Sequence, residues 1–324
     1  MVKGDMRRLE NCSIIVLTGG FGNQLFQFTY GLYLEETLGY SVFFDCDLGK
    51  PREVGNCVAL FNINLANKVR IIPSGNRLFT TILQKCYGWN LAYELKEMNR
   101  VSFKSVVMKF LTKTLLRCRF GRRRLICVSN DLGFDESLPL QKNALYFGYF
   151  QTYIYASDSL VFDKLKSINL HQVSLKYLEM IAEIKKEKPF LLHVRLTDYT
   201  SERSFGIPSV DYYQNALGQL LQNDLSKSVW VISDDVNAAK EYLGNILHRY
   251  EIRYFDEANL SDLEVWNLMR EFSGYVLSNS SFAWWAAYLR RDSKAKIYAP
   301  EPWFHGMGSP NQLLPEDWVR VQSL

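Results

Sequence analysis

The sequence predicts an α/β fold in which two Rossmann-like domains, each built on a parallel sheet, face one cleft. Two observations support this prediction. Short apolar runs alternate with helical stretches of about ten residues after Pro189, which is the pattern of a doubly wound sheet. The chain also opens on a strand–helix–strand pattern. Its 324 residues are enough for two domains, which we place at 1–170 and 171–324.

The first domain begins with clear elements and then becomes irregular. The apolar run 14–17 predicts a strand over 13–18, and helical spacing of apolar residues predicts a helix over 23–38. Further elements are a strand at 41–44, a strand-like segment at 145–150 and a polar helical region at 157–188. Residues from about 50 to 130 carry no regular pattern.

The second domain is more regular. Strands are predicted at 190–194, 229–232, 253–255, 275–277 and 296–298, and helices at 212–222, 238–247, 262–272 and 282–290. Polar residues follow these strands. Ligands bind beyond the carboxyl ends of the strands in such sheets, so these polar residues are candidates for the functional site.

The most informative segment is the glycine-rich turn 19–27, which lies between the first strand and the first helix. Glycines remove Cβ, and a helix start offers N–H groups to an anion, with Asn23 and Gln24 adding side-chain donors. A turn that merely packs well is the alternative. The third glycine of the dinucleotide motif is replaced by Leu25, and no Gly-Lys-Ser/Thr ending is present, so NAD and ATP are not favoured.

A second group of candidates follows the strand at 190–194. His193 and Arg195 point to the same face because they are two residues apart on a strand. The guanidinium fork of Arg195 suits a diphosphate. Asp198 could position a hydroxyl, pair with Arg195 or act as a base. A structural Arg–Asp pair beside a packed histidine is the alternative.

Two more polar clusters end later strands. Asp234 and Asp235 could cap a helix or hold a ribose or a base edge. The small residues 278–281 bring hydroxyls and backbone N–H groups together, which suits a phosphate without a metal. As the alternative, Ser281 caps a helix whose tryptophans are core.

Composition excludes several classes. The first twelve residues are charged and no apolar run of about 18 residues occurs, so we expect neither a signal peptide nor a membrane span. Six cysteines without Cys-x-x-Cys spacing indicate reduced thiols in a cytosolic protein. Asp45 and Asp47 are too few carboxylates to specify a metal, so we expect none.

The segment 101–124 carries eight Lys or Arg residues and no acid, interleaved with apolar residues. This pattern suits an anionic membrane surface, and a solvated helix with a basic end is the alternative. We therefore expect a cytoplasmic protein with a peripheral contact at the inner face of the membrane. Nucleic acid is not an expected partner, because the basic patch is local and carries no reading module.

Together the motifs resemble the bacterial and animal α-1,2-fucosyltransferases, glycosyltransferase family eleven. The matching segments are Gly19–Gln27, His193–Arg195 with Asp198 and Tyr199, and Ser278–Leu289. Their order and spacing fit across residues 14–300. The family pattern usually has a second arginine and a glycine where this chain has Leu196 and Thr197, so Arg195 is the only arginine of the motif.

The resemblance implies a GT-B architecture and GDP-β-L-fucose as the donor, without a metal or cofactor. It implies inversion at the fucose carbon and an α-1,2 link to a galactose residue of an oligosaccharide or a lipid-linked, O-antigen type glycan. Domain 1–170 is then the acceptor-side domain, which also contributes the 19–27 loop to the donor site, and domain 171–324 binds GDP-fucose.

The resemblance also suggests roles for individual residues. The expected donor-binding residues are Gly20, Gly22, Asn23, Gln24, His193, Arg195, Asp234, Asp235, Asn279, Ser280, Ser281 and Phe282. Arg195 would stabilise the leaving phosphate, and Asp198 and then Glu202 are the candidates for the catalytic base. Two alternatives stay open: a GDP-fucose-dependent transferase of another linkage, and a non-catalytic protein that binds a sugar nucleotide or glycan.

Overall fold

The structure is a computed structural model that describes residues 12–46, 70–71, 112–116, 124–197, 204–222, 224, 226–244, 250–255 and 259–324. The chain forms two compact units. The first comprises residues 1–168 together with the later segment 310–313, and the second comprises residues 169–309 and 314–324.

The first unit contains a five-stranded parallel sheet. Its strands are β1 (Ser13–Val16), β2 (Val42–Asp45), β3 (Arg70–Ile71), β4 (Leu125–Val128) and β5 (Ala144–Phe147). They lie in the order β3-β2-β1-β5-β4. Helices α1 (Phe21–Leu38) and α2 (Ser159–Lys166) accompany them. Residues 112–116 are also helical.

Helix α1 packs closely on this sheet because Gly31 has no side chain. A Cβ at Gly31 would lie 2.6 Å from Cζ of Phe44 and 3.1 Å from Cδ1 of Ile15. The helix ends at Gly39, whose left-handed backbone and N–H bond to the carbonyl of Glu35 close the last turn. The close packing fixes the start of α1 relative to the end of β1.

The second unit contains a six-stranded parallel sheet. Its strands are β6 (Phe190–Val194), β7 (Val229–Ser233), β8 (Ile252–Tyr254), β9 (Gly274–Val276), β10 (Lys296–Glu301) and β11 (Val319–Gln322). Its helices are α3 (Leu175–Glu187), α4 (Val210–Leu221), α5 (Val236–Leu243), α6 (Asp262–Met269) and α7 (Ser281–Tyr288).

The strand order of the second sheet is β11-β10-β9-β6-β7-β8, with all neighbours parallel. The chain therefore starts in the middle, winds outward through β7 and β8, and returns to wind the other way from β9. This is the doubly wound order in which the winding direction changes between β6 and β9. The prediction of an α/β fold with parallel sheets is confirmed.

The helices in the described residues differ in whether a side chain caps their N-terminus. Side chains cap five helices: Asp158 caps α2, Ser174 caps α3, Ser209 caps α4, Asp235 caps α5, and Ser261 caps α6 with a reciprocal bond from Glu264. The N-cap residues of α1 and α7 are Gly20 and Ser280, and neither makes a side-chain cap bond. Both of these helices directly follow a strand of their sheet, but so does α5, which Asp235 caps.

Buried polar side chains fix the elements beneath the carboxyl edge of the second sheet. The hydroxyl of Tyr212 donates to the carbonyl of Leu277, at 2.5 Å, just beyond β9. At the other end of α7, the fully buried Arg270 donates from Nε to the carbonyl of Leu289 at 3.0 Å and stacks over Trp266. Helix α7 is therefore held at its C-terminal end.

Most predicted elements are confirmed with small shifts of their ends, and the polar region 157–188 consists of α2 and α3. Strands β3, β4 and β11 were not predicted from the sequence. Free thiols are present at Cys12, Cys46 and Cys127. Asp45 is buried, and Asp47 lies outside the described residues.

Most of the basic stretch 101–124 lies outside the described residues, but Arg124 is described and corrects the prediction. Arg124 is buried, and its guanidinium donates to the carbonyl of Cys12 and, at 3.4 Å, to the thiol of Cys12. Arg124 is thus not a surface cation. None of the described helices is long and apolar enough to cross a membrane.

Candidate functional site

The candidate site of the second unit lies where the winding of its sheet reverses, beyond the carboxyl ends of β6 and β9. Residues 195–197 follow β6, and residues 277–280 follow β9 and lead into α7. A crevice opens at such a reversal because the two chain connections leave the sheet on opposite faces. His193, Arg195 and Ser278–Ser281 all belong to this edge.

His193 joins the two strand ends. Its Nδ1 lies 2.8 Å from the hydroxyl of Ser278, and both residues are buried. Burial lowers the pKa of His193 to about 3, the Asp234 carboxylate opposes this shift, and the Arg195 cation adds to it. The imidazole is therefore neutral near physiological pH, and it acts as a polar clamp between β6 and β9 rather than as a proton acceptor.

Asp234 holds the loop after β6. Its carboxylate accepts hydrogen bonds from the backbone N–H of Leu196 at 3.0 Å and of Thr197 at 3.0 Å, and from the hydroxyl of Thr197. Burial alone would raise the pKa of Asp234, but these bonds and the charge of Arg195 outweigh burial and lower it. Asp234 is therefore ionised.

Arg195 pairs with this carboxylate. Its Nε lies 3.2 Å from Oδ2 of Asp234, and one third of its side chain is exposed. The cation thus sits at the surface of the crevice instead of being enclosed in the core. A guanidinium in this setting can bind phosphate oxygens through parallel N–H bonds.

The neighbouring Asp235 has a different role in the structure. Its Oδ1 accepts from the backbone N–H of Ala238 at 2.9 Å and so caps α5. The two adjacent carboxylates therefore have different contacts. Asp235 caps α5, and Asp234 holds residues 195–197, the loop after β6 that carries Arg195 and is called the arginine loop below. Their predicted contact with the donor stays a prediction.

Asn279 anchors a second loop. Its Nδ2 donates to the carbonyls of Phe205 at 3.1 Å and Gly206 at 2.9 Å. The backbone N–H of His305 also donates to the carbonyl of Phe205, at 3.1 Å. Gly206 has φ +69°, and a Cβ there would collide with the imidazole of His305. Residues 204–206 are thus fixed between the start of α7 and the segment around His305.

The start of α7 completes this edge. Ser280 is buried but makes no cap bond, and Ser281 and Phe282 occupy the first turn. A helix N-terminus without a side-chain cap can bind an anion through its N–H groups and its dipole. The predicted residues Ser280, Ser281 and Phe282 therefore lie where an anion would be stabilised.

In the first unit, the glycine-rich turn lies at the corresponding strand end. Gly19 has φ +76°, and a Cβ there would lie 2.6 Å from Nδ2 of Asn23, whereas a Cβ at Gly20 would have nothing within 4 Å. Gln24 donates from Nε2 to the carbonyl of Gly19 at 2.9 Å. Gly22 belongs to the first turn of α1. The turn is thus tight at Gly19 and open at Gly20.

Two glutamines that the sequence analysis did not name as site residues hold this turn. Gln27 accepts from the backbone N–H of Thr18 at 2.9 Å and donates to the carbonyl of Gly148 at 3.0 Å, which ties β1 to the residue after β5. Gln151 donates from Nε2 to Oδ1 of Asn23 at 2.8 Å. Helical spacing puts Gln24 and Gln27 on one face, which was the available signal.

The remaining predicted residues are not placed. Asp198 and Glu202, the candidates for the base, lie outside the described residues. Over the described part of the chain, no group of three or more His, Cys, Asp or Glu side chains could hold a metal ion. The expectation of a metal-free reaction stays a prediction.

Sequence comparison decides the family. The sequence profile of Glycosyl transferase family 11 matches residues 124–308, which include both the arginine loop and the start of α7. The chain belongs to glycosyltransferase family 11. The resemblance of its motifs to this family is confirmed, and the protein is a glycosyltransferase.

Two relatives from Escherichia coli match nearly the full length of the chain. One is an alpha-1,2-colitosyltransferase, 24% identical over 318 residues, which cover 96% of this chain and 99% of the relative. The other is the O-antigen biosynthesis glycosyltransferase WbnK, 22% identical over 328 residues, which cover 94% and 99%. Among solved structures, fucosyltransferase NodZ from Bradyrhizobium matches with a TM-score of 0.44 and 14% identity, covering 87% of this chain and 93% of NodZ.

Proposed function

We propose that this family 11 enzyme transfers L-fucose from GDP-β-L-fucose, with inversion, to the 2-hydroxyl of a galactose residue in an oligosaccharide or lipid-linked O-antigen type glycan. The observation that carries the proposal is the Arg195 cation, held by Asp234 at the reversal point of the second sheet. The names of the two bacterial relatives support an α-1,2 linkage and an O-antigen product.

The reaction is a single displacement. The acceptor hydroxyl attacks the anomeric carbon from the face opposite the nucleotide, and the bond from that carbon to the β-phosphate oxygen breaks. GDP leaves with increased negative charge, and the acceptor proton passes to a base or to solvent. The sugar develops oxocarbenium character, so the main electrostatic demand is on the departing phosphate.

The second unit offers groups that meet this demand. Arg195 supplies a fixed positive charge, and the start of α7 supplies N–H groups and a dipole beside the hydroxyls of Ser280 and Ser281. Such donors stabilise the developing charge without reorganising during the reaction. In this proposal they replace the divalent cation that neutralises a diphosphate in other transferases.

Two described groups are poor candidates for the base. His193 is buried, bonded to Ser278, and has a pKa of about 3, because burial disfavours its charged form. The carboxylate of Asp234 already accepts bonds from Leu196, Thr197 and Arg195. Asp198 therefore remains the first candidate and Glu202 the second.

In the first unit, we assign the amide of Asn23 to hydrogen bonds with hydroxyl or phosphate oxygens of the substrates. Asn23 accepts from Gln151, and this bond fixes its rotamer, so ordering it on substrate binding costs little entropy. Gln24, which was expected to bind the donor, is fully buried and anchored on the carbonyl of Gly19, so it holds the turn instead.

A colitosyl donor is the second candidate, favoured by the relative that matches 96% of the chain. Colitose is the 3-deoxy form of L-fucose, so the two donors differ by one hydroxyl. A site that hydrogen-bonds this hydroxyl rejects the analogue that lacks it by about 10⁴-fold, whereas an apolar site discriminates weakly. The donor therefore has to be decided by direct competition.

The test is transfer to a β-galactoside from GDP-fucose and, separately, from GDP-colitose, each with and without excess EDTA. We expect an α-1,2-linked product by NMR, with unchanged rate in EDTA. An α-1,6-linked product, or transfer to a protein acceptor offered in a parallel assay in place of the galactoside, would indicate the alternative transferase. Tight GDP binding with neither transfer nor donor hydrolysis would indicate a non-catalytic binding protein and overturn the proposal.

We also propose a peripheral contact between the basic stretch 101–124 and anionic membrane, now without Arg124, which is buried. Replacing Arg122 and Arg123 by Gln should weaken sedimentation with phosphatidylserine vesicles, with a larger difference at low salt. The matched control is Arg253→Gln, an exposed arginine of the second unit that pairs with Glu183. Equal sedimentation of all three proteins would remove the membrane contact and leave the enzymatic proposal unaffected.

A further inference from the structure

We propose that Asp234 is a positioning residue that orients the Arg195 guanidinium toward the donor diphosphate, and that Thr197 reinforces this arrangement. The inference rests on the proposed function and deepens it, because it assigns phosphate binding to Arg195 and the orientation of Arg195 to Asp234. Asp234 was expected to bind the donor itself.

The register of the sheet explains how Asp234 reaches the loop. β6 and β7 are parallel neighbours, and Val194 lies opposite Ser233. Both strands therefore end at the same level, and the residue after Ser233 faces the residues after Val194. Asp234 then accepts from the N–H groups of Leu196 and Thr197, both at 3.0 Å.

The contact with Arg195 fixes the plane of its guanidinium. Asp234 binds Nε, the nitrogen next to the side-chain stem, at 3.2 Å. A planar group held at its inner edge keeps its terminal nitrogens in a defined direction, and this terminal pair can bind a phosphate in the end-on bidentate mode. Because the Asp234 side chain is only 13% exposed, the pair is partly shielded from solvent screening.

Two positions that depart from the resembled pattern make the dependence stronger. Where the resembled pattern has a second arginine, Leu196 is buried in the core with Val194 and Tyr212, so no cation comes from that position. Where the pattern has a glycine, the hydroxyl of Thr197 donates to Asp234, a bond that glycine cannot make. The chain thus combines one motif arginine with one additional bond that holds its loop.

The first test compares Asp234→Asn and Thr197→Val with a matched control, Asp224→Asn. Asp224 is a partly exposed loop residue before β7 that accepts from Ser226, so it experiences the same chemical change away from the carboxyl edge. We expect Asp234→Asn to lower kcat/KM for the donor by about 10- to 100-fold, because a misaligned catalytic group costs this much. Thr197→Val should lower it by about 2- to 10-fold, the effect of one hydrogen bond.

A double-mutant cycle distinguishes positioning from a general structural role. GDP dissociation constants are measured by calorimetry for the wild type, Arg195→Ala, Asp234→Asn and the double variant. If Asp234 acts through Arg195, then Asp234→Asn weakens GDP binding in the wild type and has less than about a twofold effect once Arg195 is absent. Equal effects in both backgrounds, or wild-type affinity in Asp234→Asn, would overturn the inference.

The two proposals fail in different ways. A wild-type protein that binds GDP but transfers no sugar contradicts the proposed function, while the binding cycle still decides the role of Asp234. A wild-type protein that transfers fucose, together with Asp234→Asn at full kcat/KM, contradicts only the positioning role.

Discussion

The carboxyl edges of the two sheets share a backbone plan and differ in side-chain chemistry. In each unit, a central strand of the sheet leads through a short turn into a helix whose N-cap makes no side-chain bond, α1 in the first unit and α7 in the second. Amides hold the first edge together, with Gln27 tying β1 to Gly148. An ion pair and the His193–Ser278 bond hold the second.

Under the proposed function, this difference indicates a division of work in which the two edges bind different groups of the substrates. Amides donate and accept equally well, so the first edge suits hydroxyl groups and peripheral phosphate oxygens. Both edges present the start of a helix, but the second edge adds the Arg195 cation, which suits a group that gains negative charge. A common fold therefore does not require a common ligand, because the ligand is selected by the side chains at the edge.

The largest expected effect comes from removing the cation. Arg195→Ala should lower kcat by about 10²- to 10³-fold, the usual loss for one preorganised donor, whereas Asn23→Ala at the first edge should cost about tenfold, the loss of one neutral hydrogen bond. Initial rates at saturating GDP-fucose measure both. If Asn23→Ala costs as much as Arg195→Ala, the division of work between the edges is wrong.

The second prediction uses the buried histidine, which has no counterpart among the amides at the first edge. Folded His193 resists protonation to about pH 3 because it is buried, while an unfolded histidine titrates near 6.5. The unfolded state thus binds more protons between these values, so stability falls as pH decreases from about 6.5, by up to about 1.4 kcal/mol per pH unit.

His193→Gln should therefore have a flatter decline in unfolding free energy between about pH 6.5 and 4.5 than the wild type, as measured by urea denaturation. His305→Gln is the control, since burial lowers its pKa but less of the ring is enclosed. A slope in His193→Gln equal to that of the wild type would show that this imidazole is not buried in its neutral form.

The third prediction concerns two adjacent glycines of the first edge. Gly19→Ala should destabilise the protein by about 1–2 kcal/mol, because Gly19 has φ +76° and a Cβ would press on Asn23. Gly20→Ala should change stability by less than about 0.5 kcal/mol, because its Cβ would have open space.

The Gly19→Ala and Gly20→Ala variants also test whether a ligand approaches the backbone of this turn. If a phosphate or hydroxyl approaches the backbone at Gly20, the Gly20→Ala variant keeps its melting temperature but binds GDP-fucose less tightly. Calorimetry with the donor measures the affinity. Unchanged affinity in a stable Gly20→Ala protein would argue that the turn only packs the helix against the sheet.

The smallest expected effects separate the two kinds of helix start in the second unit. Ser261→Ala removes a capping box and should cost about 1 kcal/mol of stability, whereas Ser280→Ala removes no cap bond and should cost almost none. Thermal unfolding measures both, and donor turnover should fall only in Ser280→Ala. A destabilised Ser280→Ala protein would indicate that its hydroxyl has a structural role.

The sequence predicted the buried strands well because their apolar signal is continuous: β6 and β7 are buried at every position. It missed β4 and β11, which are edge strands with one buried residue each, Cys127 and Val321, and which do not lie between two predicted helices. The edge strand β8 has no buried residue but was predicted, because strands and helices alternate regularly around it. Edge strands face solvent on several sides, so their residues need not be apolar.

The position of the candidate site could be predicted from the sequence, but the hydrogen-bond partners of its residues could not. Strand ends locate His193, Arg195 and Asp234, since carboxyl ends of parallel strands meet at one edge. The bond from Leu196 to Asp234 joins residues 38 positions apart, and it depends on the strand register, which local sequence does not specify. For the same reason the sequence could not tell which of Asp234 and Asp235 would cap α5.

The first unit includes segment 310–313, which is translated long after the rest of that unit. Asn311 and Gln312 offer carbonyls to the N–H groups of Phe134 and Tyr153, and Gln312 also accepts from the hydroxyl of Thr152. The ribosome makes this segment only after β10, so the first unit waits for its final hydrogen-bond acceptors while β6 to β10 are translated. A gene fragment that stops at Ile168 would encode the first unit without these carbonyl acceptors.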